Sequence, residues 1–196
     1  MKKLITITFI FFTVLGFSQD SEIYKVVFND KDNFDYLNLY DKSNLDKLIT
    51  FKIYDKTHHW NTNYFKIRDI NVNDTNIIDS IKQYDRHPYN HTYLFKNENL
   101  KKIFNDSEQE YLYKKAINNG GKRFLKFNDN VSIIRTFPET GIYFTISSII
   151  YSSDNQYAFL YVSVFQNLEY FGETFFIFKK ESKGWVQIYI EKDIIL

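Results

Sequence analysis

Four segments in the last third of the chain leave little room between them: IYFTISSII (142–150), QYAFLYVSVFQ (156–166), EYFGETFFIFKK (169–180) and GWVQIYIEKDII (184–195). Each is rich in β-branched and aromatic residues, which suit a pleated surface. The joints SSDN, QNLE and ESKG are short, polar and built from turn-forming residues. Parallel neighbours need a crossover of roughly a dozen residues or more, so joints this short connect antiparallel strands. The sequence thus predicts a four-stranded antiparallel meander. In its second strand Ala158, Leu160, Val162 and Val164 alternate with Tyr157, Phe159, Tyr161 and Phe165. Apolar groups on both faces predict a central strand covered on both sides. Gly172 interrupts the third strand and predicts a bulge or a close backbone approach. Trp185 reads as a core anchor at a strand start.

Upstream, NDSEQEYLYKKAINNGG carries helix punctuation. Ser107 and Glu110 match the S-x-x-E capping box, and Gly120 and Gly121 supply a left-handed stop. Leu112 with Ala116 and Tyr113 with Ile117 offer i, i+4 pairs to a sheet. Residues 22–30 fit either a short helix or a strand. Residues 36–43 and 49–57 read as strands, and the isoleucines of 75–85 follow helical spacing. Helices, strands and a terminal meander define an α+β class, a meander packed with helices.

The stretch SSIIYSSDNQYAFLYVSVFQNLEYFGETFFIFKKESKGWVQIYI resembles the closing sheet of small exported bacterial proteins of unknown function. NTF2-like and cystatin-like folds show a similar rhythm of curved antiparallel strands behind a helix. The resemblance covers about the last quarter of the chain and carries no catalytic motif, so it implies a fold and no site residue.

The other end of the chain speaks to location. MKKLITITFIFFTVLGFSQD opens with Lys2 and Lys3, runs uncharged from Leu4 to Leu15, and then places Gly16 and Ser18 around Phe17. This is the layout of a secretory signal peptide over residues 1–18, with Gln19 as the new N-terminus. The apolar run is shorter than the roughly 20 residues a spanning helix needs. With no cysteine in the chain, an acyl-anchored lipoprotein is excluded, as are disulfides and thiolate metal sites. Cleavage leaves 178 of the 196 residues, enough for one α+β domain (19–196) to bury a core without crosslinks. Removing Lys2 and Lys3 from the 25 basic residues leaves 23 against 24 acidic ones. That balance argues against nucleic acid or an anionic membrane as a partner. A soluble periplasmic or extracellular protein is expected.

Twenty Phe and sixteen Tyr against six Gly and two Pro invite a stacking platform as an explanation. The aromatics are spread along the whole chain and many fall at strand positions, so a coding bias that supplies Phe, Tyr and Ile where other proteins use Leu, Val and Ala accounts for them.

The four histidines form two pairs, His58 with His59 and His87 with His91, near Asp55, Asp79 and Asp85. Imidazole is the commonest protein metal ligand. The spacing argues against one ion: adjacent His58 and His59 point to opposite faces of a strand, and Pro88 lies between His87 and His91. On an extended segment that second pair stands roughly 13 Å apart. There is no H-E-x-x-H motif, no nucleotide phosphate loop and no G-x-S-x-G around Ser147, Ser148, Ser152 or Ser153. No cofactor is expected. Two functions stay open: a non-catalytic binding module of the cell envelope, taking a protein or small ligand, and a hydrolase, metal-dependent or not, with histidine and carboxylate groups from 55–93.

Overall fold

A computed structural model describes residues 20–39, 51–58, 60, 65, 94–118 and 131–194. Helix α1 (residues 20–29) opens the described chain. A 3-10 stretch, Lys31–Leu39, follows it. Strand β1 (Phe51–Tyr54) comes next, then helices α2 (Glu98–Ile103) and α3 (Asp106–Asn118). The remaining strands are β2 (Val131–Ile134), β3 (Ile142–Ile146), β4 (Ile150–Tyr151), β5 (Tyr157–Gln166), β6 (Glu169–Glu181) and β7 (Gly184–Ile194). All seven strands join one sheet in the order β2-β1-β3-β5-β6-β7, with β4 beside β5. Helices with a terminal meander make the protein α+β.

The ambiguous segment 22–30 is helical for a visible reason. Ile23, Tyr24, Val27 and Phe28 are buried, an i, i+1, i+4, i+5 pattern that belongs to a helix face. The Asn33 side-chain amide donates to the carbonyl of Val27 and closes its C-terminal end. The strand expected over 36–43 is absent as far as Leu39, where the 3-10 stretch ends; residues 40–43 lie outside the described ones. Adjacent Tyr36 and Leu37 both join the core built on α1, whereas neighbours in a strand would point to opposite faces.

Strand β5 alternates as expected. Ala158, Leu160, Val162 and Val164 join a core with α1, the 3-10 stretch, Phe51, Ile53 and Trp185. Phe159 and Tyr161 join a second core with Trp60, Phe65, α2 and α3 on the opposite face. Fully burying each such apolar side chain stabilises by about 1.5–3 kcal/mol, so the two faces share the folding energy.

The meander differs from its simplest form at three bulges. The first segment is split: β3 and β4 both pair with β5, and one extra residue between them breaks the ladder. In β6 the register slips where Val164 faces Gly172 and Phe165 faces Tyr170, so Gly172 does mark a bulge. In β7 the slip falls between the partners of Ile177 and Phe178.

The parallel strands were not legible. β1 lies between β2 and β3 and runs parallel to both. Residues 135–141 therefore cross over β1, a short crossover that such short strands permit. Phe137 in it packs against Tyr54 at 4.3 Å and Tyr143 at 5.2 Å between ring centroids.

At α3 the cap is Asn105 rather than Ser107. Asn105 Oδ1 accepts from the amide of Glu108 and the hydroxyl of Ser107. Glu108 turns away to bind the amide and hydroxyl of Ser153 in the β4–β5 turn. That carboxylate fastens α3 to the sheet. Leu112 and Ala116 are buried as a pair, whereas Ile117 is exposed. The glycine stop at 120–121, the helix expected over 75–85 and the leader at 1–18 lie outside the described residues.

Candidate functional site

The sheet face that carries α2 and α3 is not apolar throughout. Thr145 on β3 pairs with Ser163 on β5, and Ser163 pairs with Glu173 on β6. The three side chains form a polar row across the strands. They are only 8%, 5% and 5% exposed. Neither the Thr145 nor the Ser163 hydroxyl is among the fully buried side-chain atoms of the described residues left without a hydrogen-bond partner.

The bulge in β6 creates this alignment. Phe171 and Gly172 both turn toward the α1 core, where Phe171 stacks near Tyr36. Tyr170 and Glu173, three residues apart, are thereby returned to the same face. Without the extra residue, Glu173 and Tyr170 would fall on opposite faces.

Aromatic groups border the row on both sides. On one side Tyr143 stacks on Phe165 at 5.0 Å with ring planes 6° apart, and Tyr170 meets Phe165 edge-on at 5.6 Å. Burial pushes the Tyr143 phenol up from its usual pKa. On the other side Tyr161 is held between the His58 ring at 4.4 Å and the Trp60 ring at 4.9 Å.

His58 reaches that position through backbone pairing. Its amide donates to the carbonyl of Ile146, and the residue bridges Ser147 in parallel. Two positions on, the Trp60 indole Nε1 donates to the carbonyl of Ser148 at 2.7 Å. The β3–β4 bulge thus docks His58 and Trp60. Ser147 completes it: its amide donates to the Tyr161 carbonyl, and its Oγ accepts from the Tyr161 amide. Ser147 is structural, in keeping with its lack of a nucleophile motif.

Asp55 is buried just past β1, where its amide donates to the carbonyl of Ile134. Its Oδ1 has no hydrogen-bond partner among the described residues. His59, Asp79, Asp85, His87 and His91 lie outside the described residues. Among the described residues no three His, Asp or Glu side chains gather closely enough to hold a metal ion.

Sequence reading passed over the polar row. Its one signal was Ser163 within the apolar alternation of β5, and Glu173 beside Gly172 has meaning only once the bulge is known. No family model, curated protein or solved structure matches the chain.

Proposed function

We propose that the chain is an exported, soluble, non-catalytic binding module of the cell envelope. Its ligand surface is the face formed by Thr145, Ser163 and Glu173 between the Tyr143–Phe165 stack and the His58–Tyr161–Trp60 group. The observation that carries this reading is the polar row: two hydroxyls and a carboxylate aligned across three strands, on a face otherwise used for core. Hydroxyls with a carboxylate and aromatic walls suit a small ligand that carries hydroxyl or amine donors on an apolar frame. Export is supported by the leader-like residues 1–18. No helix among the described residues is long and apolar enough to cross a membrane.

The test is an NMR titration of the mature protein with polyols, amino sugars and small aromatic amines. Saturable shifts centred on Thr145, Ser163 and Glu173, lost in Glu173→Gln, are expected. Shifts that fall elsewhere for every binding probe would remove this face from consideration.

A second reading is a hydrolase using Asp55 and His58. It is favoured by the buried, unpartnered Oδ1 of Asp55 three residues before the His58 ring. Turnover of chromogenic esters or glycosides that disappears in both His58→Ala and Asp55→Asn would establish it in place of the binding module.

A further inference from the structure

We infer that two copies of this chain associate edge to edge through β2, about a two-fold axis at Ser132. Among the described residues the sheet ends in β7 on one side and in β2 on the other. An open strand edge is a template for further pairing, which proteins prevent with bulges and charged residues. β7 has both: its register slips beside Phe178, and Glu191 and Lys192 lie along it. β2 has neither. Its four residues, VSII, are uncharged and pair with β1 without a slip. Ser132 and Ile133 are exposed, Ile133 by 38%, so this edge faces solvent.

The backbone sets the direction and register of the pairing. The Ile134 carbonyl accepts from the Asp55 amide, so Ile134 and Ser132 direct their peptide groups inward to β1, and Val131 and Ile133 direct theirs outward. An antiparallel partner centred on Ser132 lets each Val131 exchange hydrogen bonds with Ile133 of the second copy. Ile133 lies in register with Ile53, on the α1 face. Phe137, 47% exposed, stands on the opposite face against Tyr54 and Tyr143. Each face beside the seam therefore has an apolar group to bury.

Charge selects a second copy over an unrelated strand. Residues 135–141 run back from the C-terminal end of β2 to the N-terminal end of β3. Arg135 starts this crossover, Glu139 lies near its far end, and both are exposed. In an antiparallel pair one crossover starts where the other finishes. Arg135 of each copy then stands at the same end of the seam as Glu139 of the second, the self-complementary pattern of an isologous interface. Four residues make a short ladder, so these flanking groups decide its strength.

The experiment is sedimentation velocity on the protein over a range of concentrations, with amide exchange read at both extremes. The expected species is a dimer that dissociates on dilution, with the Val131 and Ile133 amides protected only in the dimer. Ile133→Lys is expected to be monomeric with an unchanged far-UV circular dichroism spectrum. Arg135→Glu is expected to weaken association by roughly tenfold, because the axis places each like-charge contact twice. The double variant Arg135→Glu/Glu139→Arg is expected to restore it. A parent that stays monomeric at every concentration overturns the inference. So does a dimer that survives Ile133→Lys, or a double variant that associates no more tightly than Arg135→Glu alone.

Discussion

Ser147 and Tyr161 are joined twice, once by the Ser147 amide donating to the Tyr161 carbonyl at 2.9 Å and once by the Tyr161 amide donating to Ser147 Oγ at 3.0 Å. The hydroxyl takes the place of the carbonyl that the bulge has moved out of the ladder. Ser147→Ala removes that acceptor and leaves a buried N–H unpaired, which costs about 1–3 kcal/mol. Urea unfolding should show a loss in this range with an unchanged slope. A loss below about 0.5 kcal/mol, the level of a neutral surface change, would mean the hydroxyl is dispensable.

The two candidate caps of α3 are separable. Asn105→Ala should cost about 1 kcal/mol, because the amide of Glu108 loses its acceptor. Ser107→Ala should cost less, because Ser107 only donates to the Asn105 side chain. Equal losses in thermal or urea unfolding, or a larger one at Ser107, would restore the capping box at Ser107 and Glu110.

The β5–β6 turn holds Asn167 at φ 53° and Leu168 at φ 67°. Asparagine tolerates the left-handed region; a leucine there carries a penalty of about 1–2 kcal/mol. Leu168 is exposed, so Leu168→Gly sacrifices no core contact. Glycine's own entropic cost is about 0.5–1 kcal/mol, leaving a net gain of up to about 1 kcal/mol. A higher melting temperature for Leu168→Gly is expected, and a lower one contradicts the turn geometry.

Two tyrosines make the fold sensitive to alkali. Burial, and then the Glu191 carboxylate that accepts its hydroxyl, pushes Tyr189 from the usual 10 up to about 12. Burial also raises Tyr36, whose hydroxyl accepts from Thr174. Above pH 10 the unfolded chain releases these protons while the folded chain keeps them, so stability is complete below pH 10 and falls as pH climbs toward 12. Unfolding free energy measured across this window should decline less steeply in Tyr189→Phe than in the parent. Parallel curves would show that Tyr189 titrates normally.

Much of the fold was legible because β5 to β7 write their pairing locally. Short turns fix the antiparallel order, and alternation in β5 fixes both cores. The helical nature of 22–30 rested on which residues found neighbours, which periodicity over nine residues does not decide. The parallel pairing of β1 with β2 and β3 was hidden, since Phe51 and Val131 meet across 80 residues with no turn between them. The candidate site was hidden for a related reason. Thr145, Ser163 and Glu173 become neighbours only through strand register, and Glu173 reaches its face only because Phe171 and Gly172 share the other. The histidines drew notice by rarity, yet of the four only His58 falls among the described residues, and its ring packs on Tyr161.

The central claim is that the polar row serves a ligand rather than the fold. The most direct measurement is urea unfolding of the Thr145→Val/Ser163→Ala double variant beside the parent. The account predicts stability within about 0.5 kcal/mol of the parent, together with loss of the ligand-dependent shifts. A loss of about 1–3 kcal/mol would show that the hydroxyls hold the structure together, and would contradict the account.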